Sequence, residues 1–308
     1  RAIGRSVREA LNDAAVQLDA LEALRQRLEP DIAFTLLDLT VEAEALGLEV
    51  EFFDKMPPSL ARQELPALER FYEMDLPDPD RSARMPVFLR VAEGLAAGDE
   101  QACGAHVTGP FTLLAQLLGT EELLRRVEAR EGLEDAVGYA TSVVGQYAAA
   151  LAARVDLVMV VDPAVETLKA AEFRELYRPF LSGLAGIIRS SGSVCMLHIC
   201  GDVSHLLEEI ALTGVEGLSL DACMNMPREA ERLPANLVLM GNLDPKRVIR
   251  RGTPEDVRWE VRRLLRNMAK VRNFILSTGC DVPADAPIKN LEAMVEEARG
   301  WRPRADLL

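Results

Sequence analysis

Residues 194–201 read Val-Cys-Met-Leu-His-Ile-Cys-Gly. A short apolar run that ends in polar residues and a glycine reads as a buried strand with its last residues at a turn. Downstream, His205–Leu212 carries helical periodicity, and Gly217–Asp221 is another apolar run closing on a carboxylate. Upstream, the amphipathic stretch Phe173–Ser190 separates this strand from Leu157–Asp162. The same alternation extends in both directions, with strand-like runs at Asp31–Asp38, Ala105–Thr108, Leu237–Gly241 and Phe274–Thr278. Helical patterns fall at Val7–Leu28, Phe111–Leu118, Leu133–Ala153 and Pro254–Lys270. The last of these opens with Thr253 as N-cap, Pro254 at the first helical position, and Glu255 and Asp256 facing the positive end of the helix dipole.

Strands alternating with helices at this cadence predict a parallel sheet under helical cover. An open doubly wound sheet is expected to carry a glycine-rich phosphate turn, and neither G-x-G-x-x-G nor G-x-x-x-x-G-K occurs. Every strand instead ends in a short polar or glycine-bearing turn, as a closed barrel with all its strand ends on one rim requires. The expected fold is therefore α/β, a single (β/α)8 TIM-type barrel over residues 1–308. Gly47–Phe53 is the candidate eighth strand. The chain starts at Arg1 rather than Met, so an N-terminal segment, with room for a further strand, is expected to be missing. Residues 56–86, rich in proline and acid, read as an irregular excursion that either walls the active site or decorates it.

At 308 residues with 49% apolar content, the chain can fill a large core. The formal charge of −14 argues against nucleic acid and anionic lipid as partners. The most apolar stretch, Tyr147–Val161, is interrupted by Arg154 and Asp156, so no membrane span is expected. Five scattered cysteines do not suggest a disulfide framework, and the expected compartment is the cytoplasm.

His198 and Cys200 stand two residues apart on an extended segment, so both point to one face. Cys280 lies at the equivalent end of the last strand, where barrel closure brings the rims together. One imidazole and two thiolates suit zinc, and three protein ligands leave a fourth position for substrate. The same spacing also fits three unconnected residues, each a buried thiol or a capping imidazole. If the three do hold zinc, two thiolates already neutralise its charge, which favours alkylation of a bound thiol over hydrolysis. The H-x-E with P-C-x-x-C pattern of zinc deaminases is absent, as is the nucleotide-binding fold of an alcohol dehydrogenase. Cys103, Cys195 and Cys223 read as packing residues, and His106 and His205 as capping or packing residues.

Met240-Gly-Asn-Leu-Asp-Pro245, Leu276-Ser-Thr-Gly-Cys-Asp-Val-Pro283 and Pro287-Ile-Lys-Asn290 join His198-Ile-Cys-Gly-Asp202 in a recognisable pattern. With Leu36-Leu-Asp38, Glu42-Ala-Glu-Ala-Leu-Gly47 and Thr108-Gly-Pro-Phe-Thr112, the chain resembles the uroporphyrinogen decarboxylase superfamily. More narrowly, it is similar to the methylcobamide:thiol methyltransferase branch. That resemblance implies Zn2+ on His198, Cys200 and Cys280, and a methylcobamide, held by a separate corrinoid-carrying protein, as methyl donor. The implied acceptor is a small thiol or tetrahydrofolate. Asp38 matches the decarboxylase's central carboxylate and is expected to orient substrate, accept a proton or cap the following helix; with Asn242 it forms the expected catalytic pair. Gly241, Asp162 and Asp221 are expected to line the cofactor site or to partner His198. Two departures bear on the alternatives. Arg1-Ala-Ile-Gly-Arg5 is a poor counterpart of the arginine-rich motif with which decarboxylases grip propionates, and cysteines at 200 and 280 are not what decarboxylation requires. Tetrapyrrole decarboxylation and a non-catalytic corrinoid- or tetrapyrrole-binding barrel are the alternative readings.

Overall fold

A computed structural model describes residues 3–62, 67–98, 101–130 and 132–302. Seven parallel strands form one curled sheet of the TIM-barrel class: β1 (Ile32–Phe34), β4 (Ala102–Thr108), β5 (Leu157–Val161), β6 (Val194–Ile199), β7 (Gly217–Leu220), β8 (Val238–Leu243) and β9 (Phe274–Thr278), hydrogen-bonded in that order. Each lies where the sequence predicts a strand, and β8 runs two residues further, through Asn242 and Leu243. The expectation for Gly47–Phe53 is corrected. Val50–Glu51 (β2) pairs antiparallel with Ser59–Leu60 (β3) in a separate hairpin. Val50 and Glu51 are not buried, whereas a barrel strand needs both faces covered.

None of the seven barrel strands carries a lysine, arginine, aspartate or glutamate. Their alternation sorts two cores. Val158, Val160, Cys195, Leu197, Leu218 and Leu239 point outward into the large core under the helices. Leu157, Met159, Val161, Met196 and Met240 point inward and, with Phe34, Val238 and Ile275, fill the barrel. Because period-2 alternation is strict within a strand, His198 is on the inward face with Met196, and the next inward position beyond the strand is Cys200. A strand slip of one residue would turn these two side chains into the helical layer.

The outer layer closes across the sheet's two edges, β1 and β9. Arg27 on the helix Ala14–Leu28 meets Glu292 on the last helix, Ile288–Gly300, at 2.5 Å. Arg299 of that last helix reaches Glu29 at 2.9 Å. The first predicted helix is divided, because Asp13 accepts from Ala15 N and Val16 N and starts a new helix there. The Thr253–Asp256 capping box forms as its sequence predicts. The 56–86 excursion contains a short helix, Leu68–Tyr72. Among the described residues, no helix is long and apolar enough to cross a membrane.

Candidate metal centre

Two glycine turns deliver the three candidate ligands. Gly201 has φ +84°, and a Cβ there would collide with the Glu166 carboxylate, so glycine alone lets the chain turn away directly after Cys200. After β9, Gly279 N donates to Leu243 O at 2.8 Å, and a Cβ on Gly279 would strike the backbone of Ala222. This close pass over the β7 loop sets Cys280 opposite Cys200.

His198 Nε2 lies 3.4 Å from Cys200 Sγ, and Cys200 Sγ lies 3.8 Å from Cys280 Sγ. All three ligand atoms fall within 4.8 Å of one another. Tetrahedral zinc, with bonds of about 2.0–2.1 Å to nitrogen and about 2.3 Å to sulfur, separates N from S by about 3.6 Å and S from S by about 3.8 Å. The donor set therefore fits zinc in chemistry and in spacing. No fourth His, Cys, Asp or Glu joins the cluster among the described residues, so these residues offer three donors, one fewer than tetrahedral zinc takes.

The imidazole's orientation is fixed from behind. Nδ1 lies 3.1 Å from the Ser219 carbonyl and 3.0 Å from Ser219 Oγ. A carbonyl only accepts, so Nδ1 carries the hydrogen and Nε2 turns its lone pair to the sulfurs. The two thiols share a proton. The hydrogen bond from Cys200 pulls the Cys280 thiol well below the usual thiol range. Cys200, donating to that thiolate and half-buried, is pushed up in turn, with the charges of Asp221 and Glu166 adding to the effect. One sulfur is thus ionised readily, and a cation is needed to ionise both.

The other expected site residues divide. Asp221 stands at the end of β7, its Oδ1 accepting from Cys223 N at 3.0 Å and its charge acting on Cys200. Asn242 donates to Asp221 O at 2.9 Å and Met224 O at 2.8 Å, so its amide ties the β8 end to the loop that carries Asp221. Gly241 has φ +133°, with Leu220 O 2.8 Å from where a Cβ would stand, and the Gly241–Asn242 peptide is cis. Asp162 and Asp38 do not join this group. Asp162 is fully buried and accepts from Phe111 N, Thr112 N, Thr112 Oγ1 and the Tyr177 hydroxyl. Asp38, whose side chain has no exposed surface, accepts from Thr40 N and Thr40 Oγ1 and is ion-paired with Arg84. Neither carboxylate has a face left for a ligand. These contacts give Asp38 and Asp162 structural roles, and Asp162 N also donates to His198 O at 2.9 Å, beside the candidate ligand.

Cys195 is buried in the outer core, and burial pushes its thiol up to about 12. His205 Nε2 bonds the Leu168 carbonyl at 2.9 Å, the capping role its sequence suggests. Cys223 is exposed and outside the ligand cluster. Sequence reasoning missed Arg84, the buried partner of Asp38, because nothing in a linear pattern pairs positions so far apart. It also set aside His106, which strand parity already puts inside the barrel: the register aligns it with Met159, on the same face as His198.

A barrel with a one-nitrogen, two-sulfur candidate ligand set at the carboxyl ends of its strands is a narrow class of protein. The chain belongs to the uroporphyrinogen decarboxylase family, whose model, "Uroporphyrinogen decarboxylase (URO-D)", matches residues 1–301. Among curated relatives, the methylcobamide:CoM methyltransferase MtbA of Methanosarcina mazei is 28% identical over 276 residues, covering 86% of this chain and 78% of the relative. A uroporphyrinogen decarboxylase of Methylococcus capsulatus is 25% identical over 299 residues, covering 94% and 83% respectively. Among solved structures, a methyltransferase from Methanosarcina mazei superposes with a TM-score of 0.87 at 23% identity, covering 97% of this chain and 88% of its own; that likeness establishes the fold.

Proposed function

We propose that the protein is a zinc-dependent corrinoid methyltransferase, moving a methyl group from a methylcobamide held by a partner protein to a thiol acceptor. The observation that carries this reading is the convergence of His198, Cys200 and Cys280 ligand atoms within 4.8 Å of one another, with no fourth His, Cys, Asp or Glu in the cluster among the described residues. Methylcobamide:CoM methyltransferases among the relatives support the corrinoid donor. The decarboxylase reading is weaker, because Asp38, matched to that enzyme's central carboxylate, is closed in an ion pair with Arg84.

Zinc held by the three residues would keep an incoming thiol ionised and fixed in the open fourth position near neutral pH. His198, Cys200 and Cys280 would hold the ion, and Ser219 keeps the imidazole in the tautomer that can ligate. The inward Met196, Met240 and Val161 give the sulfur an apolar floor that excludes water. In the reaction the acceptor sulfur forms a bond to the methyl carbon, the cobalt–carbon bond breaks with both electrons remaining on cobalt, and Co(I) leaves. The acceptor's proton is released to solvent when the thiolate binds. The corrinoid carrier docks over the rim formed by the strand ends, and a tetrahydrofolate acceptor is the variant of this reading with the same metal chemistry. The test is spectrophotometric: zinc-loaded protein with free methylcobalamin and a panel of small thiols should convert methylcobalamin to its demethylated form with matching thioether. Demethylation independent of added thiol, or of zinc, contradicts the proposal.

A further inference from the structure

Inside the barrel, β4 contributes a second imidazole that the proposed methyl transfer does not use. His106 pairs in register with Met159, one inward layer below Val161 and His198. Its ring stacks on Phe34, with centroids 4.8 Å apart and 29° between planes. Its Nδ1 lies 3.1 Å from the Thr35 carbonyl, which only accepts, so Nδ1 is the protonated nitrogen. Nε2 is left as a lone pair with no hydrogen-bond partner among the described residues, and the ring keeps some accessible surface. Strand register puts that ring on the inward face shared by Met159, Met196 and Val161.

The charges around this interior are one-sided. The barrel strands hold no lysine or arginine, while Glu166 and Asp221 act on the ligand cluster from the rim. A substrate tail ending in an anion would lose its hydration here against a lone pair and methionine side chains, while Arg84 at the β1 end is already paired with Asp38 and Glu44. A tail ending in N–H or O–H would meet an acceptor already oriented by Thr35 and Phe34. Burial lowers His106 to about 4, so the ring stays neutral in ordinary buffers.

Resting on the thiol methyltransferase reading above, we propose that His106 is a specificity-determining residue: its Nε2 accepts a hydrogen bond from the methyl acceptor, which is a small thiol bearing a hydroxyl or amine rather than a sulfonate, carboxylate or phosphate.

The test measures binding rather than turnover. Calorimetric titration of the zinc-loaded protein would compare thiols of two and three carbons ending in hydroxyl with those of the same length ending in sulfonate. The hydroxyl thiols should bind about tenfold more tightly, a difference of about 1.4 kcal/mol. In His106→Phe, which keeps the stack on Phe34, that ratio should fall to about one with zinc content unchanged. His106→Gln, which places an amide oxygen near the Nε2 position, should restore most of it. Equal or tighter binding of the sulfonates by the wild type, or a ratio that survives His106→Phe, overturns the inference while leaving the methyltransferase reading intact. Failure of every thiol to bind zinc-loaded protein overturns both.

Discussion

The ends of β6 and β9 and the ends of β1 and β5 reach the same rim, yet they treat their polar side chains in opposite ways. At β1 and β5 the carboxylates are saturated. Asp38 is closed by Thr40 and Arg84, and Asp162 by four donors from Phe111, Thr112 and Tyr177. At β6 and β9 the ligand atoms are under-satisfied: Cys200 and Cys280 are partly exposed and have chiefly each other and His198. A buried polar group with all its partners holds structure, whereas convergent donors lacking a counter-charge are poised to bind one. The comparison assigns chemistry to one pole of the rim and architecture to the other.

The sharpest break of that comparison is at Cys280. Cys280→Ala should lower zinc from about one ion per chain by at least tenfold and abolish thiol methylation, with the melting temperature of the apo-protein nearly unchanged. Zinc retained at full occupancy would move the metal elsewhere. At the opposite pole, Asp38→Ala leaves the Arg84 guanidinium buried with Glu44 as its remaining carboxylate partner. Denaturant unfolding should show a loss of about 3–5 kcal/mol, while folded molecules keep their zinc. A variant that is stable yet metal-free would erase the division between the poles.

Two smaller effects refine it. Asn242 ties the β8 end to the loop that carries Asp221 through its bonds to Asp221 O and Met224 O. Asn242→Ala should slow methyl transfer roughly fivefold, about 1 kcal/mol, with zinc retained, read from rates and metal content together. Glu42 supplies a pH signature of the structural pole. Burial raises its carboxyl to about 7 from 4.5, against the hydrogen bonds from Thr108. The folded protein therefore holds this proton more tightly than the unfolded chain. Its stability contribution is full below about 4.5 and is lost as pH rises through about 7. Between about pH 5 and about pH 8 the wild-type melting temperature should fall about 2–4 °C more than that of Glu42→Gln; parallel profiles would contradict the assignment.

The barrel class and the convergence of His198, Cys200 and Cys280 were legible because each rests on local information. Strand alternation declares which face His198 and Cys200 share, and the turn glycines at 201 and 279 mark where the chain leaves the rim. What stayed hidden depends on distant partners. Asp38 looks like an available carboxylate until Arg84, 46 positions away, is folded onto it. Asp162 likewise looks free until Tyr177 and the Phe111–Thr112 backbone close round it. Gly47–Phe53 has the apolar content of a strand, but its partner is the neighbouring Ser59–Leu60 rather than the barrel. His106 lies on the inward face by strand parity alone, but no ligand spacing ties it to His198 in the sequence.

The central claim is most directly tested by X-ray absorption at the zinc edge on purified protein, with and without an acceptor thiol. The account predicts one nitrogen at about 2.0 Å and two sulfurs at about 2.3 Å, rising to three sulfurs when the thiol is added. An oxygen-dominated shell, or a sulfur count that does not change with thiol, would contradict it.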